Sequence, residues 1–258
     1  PHGAGISTVN STCNLFNVDI LHNGHGSFTV GNSSMGFWEG TTSDGGGVHI
    51  AGSNINLTDC KILFNNSTFE GGGIEAVIDN EISLLNTIIA NNHATSEGGA
   101  IRITSTGSLT IKNSTIVNNT AASGSAFHGG VTNLNLINSI IWNNEVDLSS
   151  GNFTPSYSNV QYYDGSNAGM INSDPLFKDP DNGDYTLQAG SPSIDTGNPD
   201  YDGDGNTYLT DTDDQDPDGT RVDMGAYYFH QDGDPYTGEN ATGSIALTSS
   251  DGTEVISY

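Results

Sequence analysis

Two sets of residues in this chain have the types and spacing to do chemistry. The first is an acidic run in which Asp200, Asp202, Asp204 and Asp211 occupy positions 1, 3, 5 and 12 of a loop, with Gly205 at position 6 and Asn206 after it. Carboxylates at these offsets around a turn-making glycine are the pattern of an oxygen-ligated calcium loop. Four carboxylates this close repel one another without a cation, so the run predicts a structural calcium site on Asp200, Asp202, Asp204, Asn206 and Asp211. Position 12 is usually Glu, whose longer arm reaches for bidentate contact, and Asp211 is shorter. No helical pattern flanks the loop, which makes it a bare loop of the extracellular-module kind. A solvated acidic turn is the competing reading.

The second set is scattered along the chain. His49, Glu75, Arg102 and His128, preceded by Ser7, each follow a landmark of small residues and one apolar residue, as in Gly45-Gly46-Gly47-Val48, Gly71-Gly72-Gly73-Ile74 and Gly98-Gly99-Ala100-Ile101. Stacked one repeat apart, these side chains form an outward column of imidazole, carboxylate and guanidinium groups. Arg102 could then neutralise a substrate carboxylate, while His49 or His128 takes a proton in a β-elimination or binds a sugar hydroxyl. Glu75 and Arg102 also make an obvious salt bridge, which is the structural reading of the same column. Lys61 and Lys112 fall on another strand. No Ser or Cys shows a nucleophile elbow or an ordered base nearby, so acyl transfer is not expected. Trp38, Tyr162 and Tyr163 are candidates for stacking on sugar rings.

What must position these groups is a repeat. The motif [Leu/Ile]-x-[Asn/Asp]-x-x-Ile-x-x-Asn occurs five times, ending at Asn23, Asn65, Asn92, Asn119 and Asn144, with successive intervals of 42, 27, 27 and 25 residues. The long first interval holds an insertion at 24–44. Within each copy apolar residues alternate at period two, as in Ile101-Arg102-Ile103, which is strand patterning with no helical alternative. A unit of this length cannot bury its apolar side alone, but stacked on its copies it builds a continuous core. Three inward columns follow: Leu15, Leu57, Leu84, Ile111 and Leu136; Ile20, Ile62, Ile89, Ile116 and Ile141; and the smaller Val18, Cys60, Thr87, Ser114 and Ser139. The terminal Asn of each motif predicts an amide ladder. An outward strip of Leu21, Leu63, Ala90, Val117 and Trp142, flanked by residues such as Ile88 and Ile140, calls for a covering segment or a partner.

The paired GGxI and IxxN landmarks resemble the right-handed parallel β-helix repeats of the pectate-lyase-like superfamily, and in particular those of polymorphic outer-membrane adhesins. Asp174-Pro175-Leu176-Phe177, Ser191-Pro192-Ser193-Ile194-Asp195-Thr196-Gly197 and Arg221-Val222-Asp223-Met224-Gly225-Ala226-Tyr227 resemble the tail of bacterial choice-of-anchor surface proteins. The resemblance implies an all-β solenoid of coils of about 27 residues and says little about activity, because the superfamily holds lyases, hydrolases and adhesins. The expected organisation is coils over 1–163, a loop-rich C-terminal cap over 164–230 that closes the open end of the stack, and a linker or the start of a next module over 231–258.

With 5 Lys and Arg against 31 Asp and Glu, the formal charge is −26. Such a field repels polyanions, which excludes nucleic acid and acidic membranes as partners and disfavours polyuronates. Cys13 and Cys60 form no disulfide framework and read as free thiols. No apolar stretch is long enough to span a bilayer, and no signal peptide is visible. The expectation is a secreted or cell-surface domain, non-catalytic and adhesin-like or carbohydrate-contacting, stabilised by calcium, its partner an extracellular polysaccharide or cell-surface glycan. A calcium-dependent polysaccharide lyase or glycosidase is the alternative, and a structural rod or filament subunit the third reading.

Overall fold

The computed structural model describes residues 6–22, 45–78, 80–104, 107–130, 133–144, 149–150, 153–163, 166–231, 244–249 and 252–257. Trp38, Asn23 and the insertion at 24–44 fall outside them. The described residues are all-β, with helical geometry confined to two single 3-10 turns at Pro180–Asn182 and Thr212–Asp214. Each repeat gives one strand to each of three long parallel sheets, an arrangement compatible with a parallel β-helix. The first sheet stacks Ile6–Val9, Val48–Ala51, Ile74–Val77, Ile101–Ile103, Phe127–Gly129 and Ser149–Ser150. The second runs through Thr12–Phe16, Asn54–Thr58, Glu81–Leu85, Ser108–Lys112, Asn133–Ile137 and Phe153–Ser156. The third holds Asp19–Leu21, Lys61–Leu63, Ile88–Ala90, Thr115–Val117, Ile140–Trp142 and Asn159–Val160.

The register is the one the repeat dictates. Leu15, Leu57, Leu84, Ile111 and Leu136 are successive partners in the second sheet, as are Ile20, Ile62, Ile89, Ile116 and Ile141 in the third. Both columns are buried in one continuous core, where each such side chain contributes about 2 kcal/mol of transfer free energy. A one-residue slip would turn every one of them outward, which is why the register is strongly specified.

Two buried polar ladders run along the stack. Asn65 donates its backbone N–H and its Nδ2 to Asn92 Oδ1, both at 2.9 Å, and Asn92 and Asn119 repeat the pattern toward Asn119 and Asn144. The Nδ2 of Asn92 also reaches back to the carbonyl of Ile62 at 2.9 Å. The small column does likewise: Thr87, Ser114 and Ser139 each donate a backbone N–H to the hydroxyl one coil on, at 3.1 Å. The left-handed corners fall to other residues. Asn17, Asp59, Asn86, Asn113 and Asn138 turn the chain between the second and third sheets, and Asn91, Asn118 and Asn143, each preceding a ladder Asn, turn it after the third. The glycines of the landmark divide two tasks. Gly98 takes φ +68° to make a turn, whereas a Cβ on Gly72 would lie 2.5 Å from the carbonyl oxygen of Gly99, so that site is small because coils approach closely there.

The terminal segment does two things. Ile171 donates to the carbonyl of Ser158 and accepts from Val160, which continues the stack past the last full coil. From Phe177 onward the chain lies along the flank instead of the end: Phe177, Tyr185, Leu187 and Met224 form a second core with Ile88, Ala90, Val117 and Ile140 of the third sheet. The apolar strip of the later coils is thereby covered from within the chain. The strands Ser244–Ser249 and Gly252–Ser257, read from sequence as linker or next module, pair antiparallel as a hairpin on Thr12–Phe16 and so extend the second sheet. Cys13 and Cys60 are free and buried, and burial pushes both thiols up to about 11. Among the described residues no helix is long and apolar enough to cross a membrane.

Candidate functional site

Parallel pairing in the first sheet brings Ser7, His49, Glu75, Arg102 and His128 into one file, each the direct partner of the next. The side chains close on one another. Ser7 Oγ lies 3.3 Å from His49 Nδ1, and His49 Nε2 lies 3.8 Å from Glu75 Oε2. Arg102 Nη1 reaches Glu70 at 2.7 Å and Glu75 at 3.2 Å, its Nε reaches Glu97 at 3.2 Å, and His128 Nδ1 reaches the same Glu97 carboxylate at 3.1 Å. Glu70 and Glu97 arrive because they stack on each other just before the glycine turns that open the first-sheet strands. The repeated Glu-Gly-Gly at 70–72 and 97–99 is the sequence signal that would have found them. One guanidinium thus serves three carboxylates, and His49 and Glu75 are each 2% exposed.

The file also corrects one expectation. Ser7 does have an imidazole beside it, and behind that imidazole a carboxylate, so an ordered base is present where none was expected. Ser7 is buried, at 6% exposure, so its hydroxyl sits within the packed column and not at the rim of an open cleft.

An open cleft lies elsewhere, where the flank segment meets the third sheet. It encloses about 330 Å³ between Val117, Asn118, Trp142 and Asn143 on the sheet side and Leu176, Asp181 and Gln188 on the other. Trp142 is half-buried, with its indole forming part of the wall. Asn143 Nδ2 donates to Asn118 Oδ1 at 2.7 Å, which fixes an amide pair beside the ring. Leu176 is held at φ +53° by a turn in which its N–H donates to Asp174 Oδ1 at 2.9 Å. No cleft of this kind is legible from the repeat, because half its wall comes from the non-repetitive segment. Of the aromatic candidates, Tyr163 donates its hydroxyl to Asn167 at 2.9 Å and sets its ring edge-on to Phe153, so it is used internally. Tyr162 is 70% exposed, and Trp38 lies outside the described residues.

The acidic segment does not close as a linear twelve-residue loop. Asp211 caps the 3-10 turn, accepting from Asp213 N at 3.0 Å, and Asp204 accepts from Asn206 N and Nδ2, both at 2.7 Å. The oxygens that converge belong to Asp200, Asp202 and Asp214, within 4.8 Å of one another. A second carboxylate group lies nearby in sequence. Asp216 Oδ2 accepts from Asp223 N at 2.8 Å, and Asp223 accepts from the N–H groups of Asp195 and Phe229 at 2.7 and 2.6 Å. Burial first, and facing carboxylates second, push Asp216 up to about 8; burial likewise raises Asp223 to about 6.

Comparison of the chain with protein-family models, with curated proteins and with solved structures finds no match to any of them.

Proposed function

We propose that this chain is a right-handed parallel β-helix of a secreted or cell-surface protein, which holds a neutral glycan in the Trp142 cleft without chemically altering it. Right-handed winding is what parallel crossovers adopt in nearly all proteins. The observation that carries the reading is the cleft itself: an indole wall and a fixed amide pair, with Gln188 and Asp181 opposite, supply the apolar face and the hydroxyl partners that a sugar ring takes. The net charge favours a neutral chain over a polyuronate. Against turnover stands the first-sheet column, whose only guanidinium is already engaged by Glu70, Glu75 and Glu97. The rod reading loses support because the apolar strip it would use is packed under Phe177, Tyr185, Leu187 and Met224 in the later coils.

The test is affinity electrophoresis of the protein through a panel of neutral and acidic polysaccharides, with reducing ends and unsaturated products measured on the same mixtures. Retardation by a neutral polysaccharide, lost in Trp142→Ala and without product, is expected. Product that disappears in His49→Ala would replace this reading with the lyase or glycosidase one, and absence of retardation across the panel would end the glycan reading.

A further inference from the structure

The segment from Asp200 to Asp214 folds back on itself. Gly203 and Gly205, at φ +82° and +93°, curl the chain, and Tyr208 N donates to the carbonyl of Pro199 at 2.9 Å to close the loop. The 3-10 turn Thr212–Asp214 then delivers Asp214 beneath it. Asp214 is 0% exposed. Its Oδ1 accepts from the backbone of Tyr201 and, at 3.4 Å, of Asp202. Its Oδ2 is buried with no hydrogen-bond partner, and so is Oδ1 of Asp200, whose other oxygen accepts from Gly205 N at 3.2 Å. A buried carboxylate oxygen left unpaired is costly, more so than a neutral group. Asp200 and Asp214 each also offer a carboxylate oxygen to a group with Asp202 within 4.8 Å of one another, and a cation in that group would account for unpaired carboxylate oxygens from different stretches of the same loop.

We propose that Asp200, Asp202 and Asp214 bind one calcium ion, which pins the two ends of this segment together. All the ligands are carboxylate oxygens, which selects a hard cation over zinc or copper. Three acidic side chains on an irregular glycine-bearing loop fit the variable coordination of calcium better than the strict octahedron of magnesium. Exposed Asp202 leaves one side of the ion to water. Asp214 takes the place that the linear pattern gives to Asp211, and Asp211 is not a ligand.

The experiment is calorimetric titration of the chelator-treated protein with calcium chloride and, separately, magnesium chloride, in about 0.15 M salt to screen diffuse binding to the acidic surface. One calcium site is expected, with weaker magnesium binding. Asp214→Asn keeps the shape and the Oδ1 acceptor, and should weaken calcium at least tenfold. Asp202→Asn, at an exposed position where folding is not at risk, should do the same, while Asp211→Asn should leave affinity within twofold. Saturating calcium should raise the melting temperature of the wild type and not of Asp202→Asn. Absence of binding at calcium concentrations about tenfold above the millimolar end of extracellular sites overturns the proposal. So does loss of binding in Asp211→Asn with retention in Asp202→Asn. Glycan retardation is a separate readout, so failure here leaves the Trp142 cleft standing, and the reverse also holds.

Discussion

Arg102 Nη1 lies 3.2 Å from Glu75 Oε1 across one coil step of the first sheet, and Glu75 is 2% exposed. The same guanidinium holds Glu70 and Glu97, so one arginine side chain ties three carboxylates together. Removing it would take the guanidinium from buried Glu75, a loss of about 3 kcal/mol in systems where one partner of a buried ion pair is deleted. Arg102→Met is expected to cost that much in urea unfolding, and pairing it with Glu75→Gln should recover part of the loss. A cost under about 0.5 kcal/mol for the single variant, the usual range for a surface site, would show that water screens the cluster and would reopen Arg102 as a group free for substrate.

The amide ladder gives a second prediction. Asn92 Oδ1 accepts two bonds from Asn65, and its Nδ2 satisfies the carbonyl of Ile62. Asn92→Ala strands the buried backbone N–H of Asn65, at about 1 to 3 kcal/mol for an unsatisfied group. Exposed Asn56, whose Nδ2 donates to Asn14 Oδ1 at 2.7 Å, is the internal control, since its loss exposes nothing to an apolar surrounding. Asn92→Ala should lower the urea midpoint strongly and Asn56→Ala hardly at all. Equal effects would mean that the ladder contributes through repetition and not through burial.

The contrast between these sites and the terminal segment explains what could be read from the sequence. Leu84, Ile89 and Asn92 announce themselves because each has equivalents at a fixed interval, and parallel stacking turns a fixed interval into direct contact. The same logic placed Glu75 beside Arg102. It could not place Asp214, Leu176 or Gln188, which have no equivalents. Their positions depend on where a non-periodic chain settles on the flank of the third sheet, and that is decided by Phe177, Tyr185 and Met224 packing on Ile88, Val117 and Ile140. Spacing along the chain selects Asp211 for the acidic loop, whereas in the structure Asp211 caps the 3-10 turn and Asp214 comes close to Asp200 and Asp202, a proximity that no interval along the chain marks. The asparagines that end each motif make the ladder and the residue before each one turns the corner, because a residue whose amide points inward to the ladder is not the one at positive φ.

The carboxylates beside the flank set the pH response. Asp216 is raised to about 8 and Asp223 to about 6, by burial in the first place, with the charge of Asp223 adding to Asp216 and that of Asp195 to Asp223. In the unfolded chain both return to the ordinary value near 4. Between those limits the folded state binds more protons than the unfolded one, so stability falls as pH rises through this window. Above about 8 the penalty is fully expressed, and below about 4 both states are protonated and the dependence vanishes. In chelator, the melting temperature should therefore decline from about pH 4 to about pH 8, opposite to the trend of a carboxylate held by a salt bridge. Histidines and the overall negative charge also respond to pH, and Asp216→Asn separates them: it keeps an acceptor for Asp223 N while removing the ionisation. The variant should melt higher than the wild type at pH 8.5, and the gap should close only as pH falls to about 4. An unchanged slope in Asp216→Asn would mean that these carboxylates carry their charge at no cost in the fold, and would locate the counter-charge that burial alone does not provide.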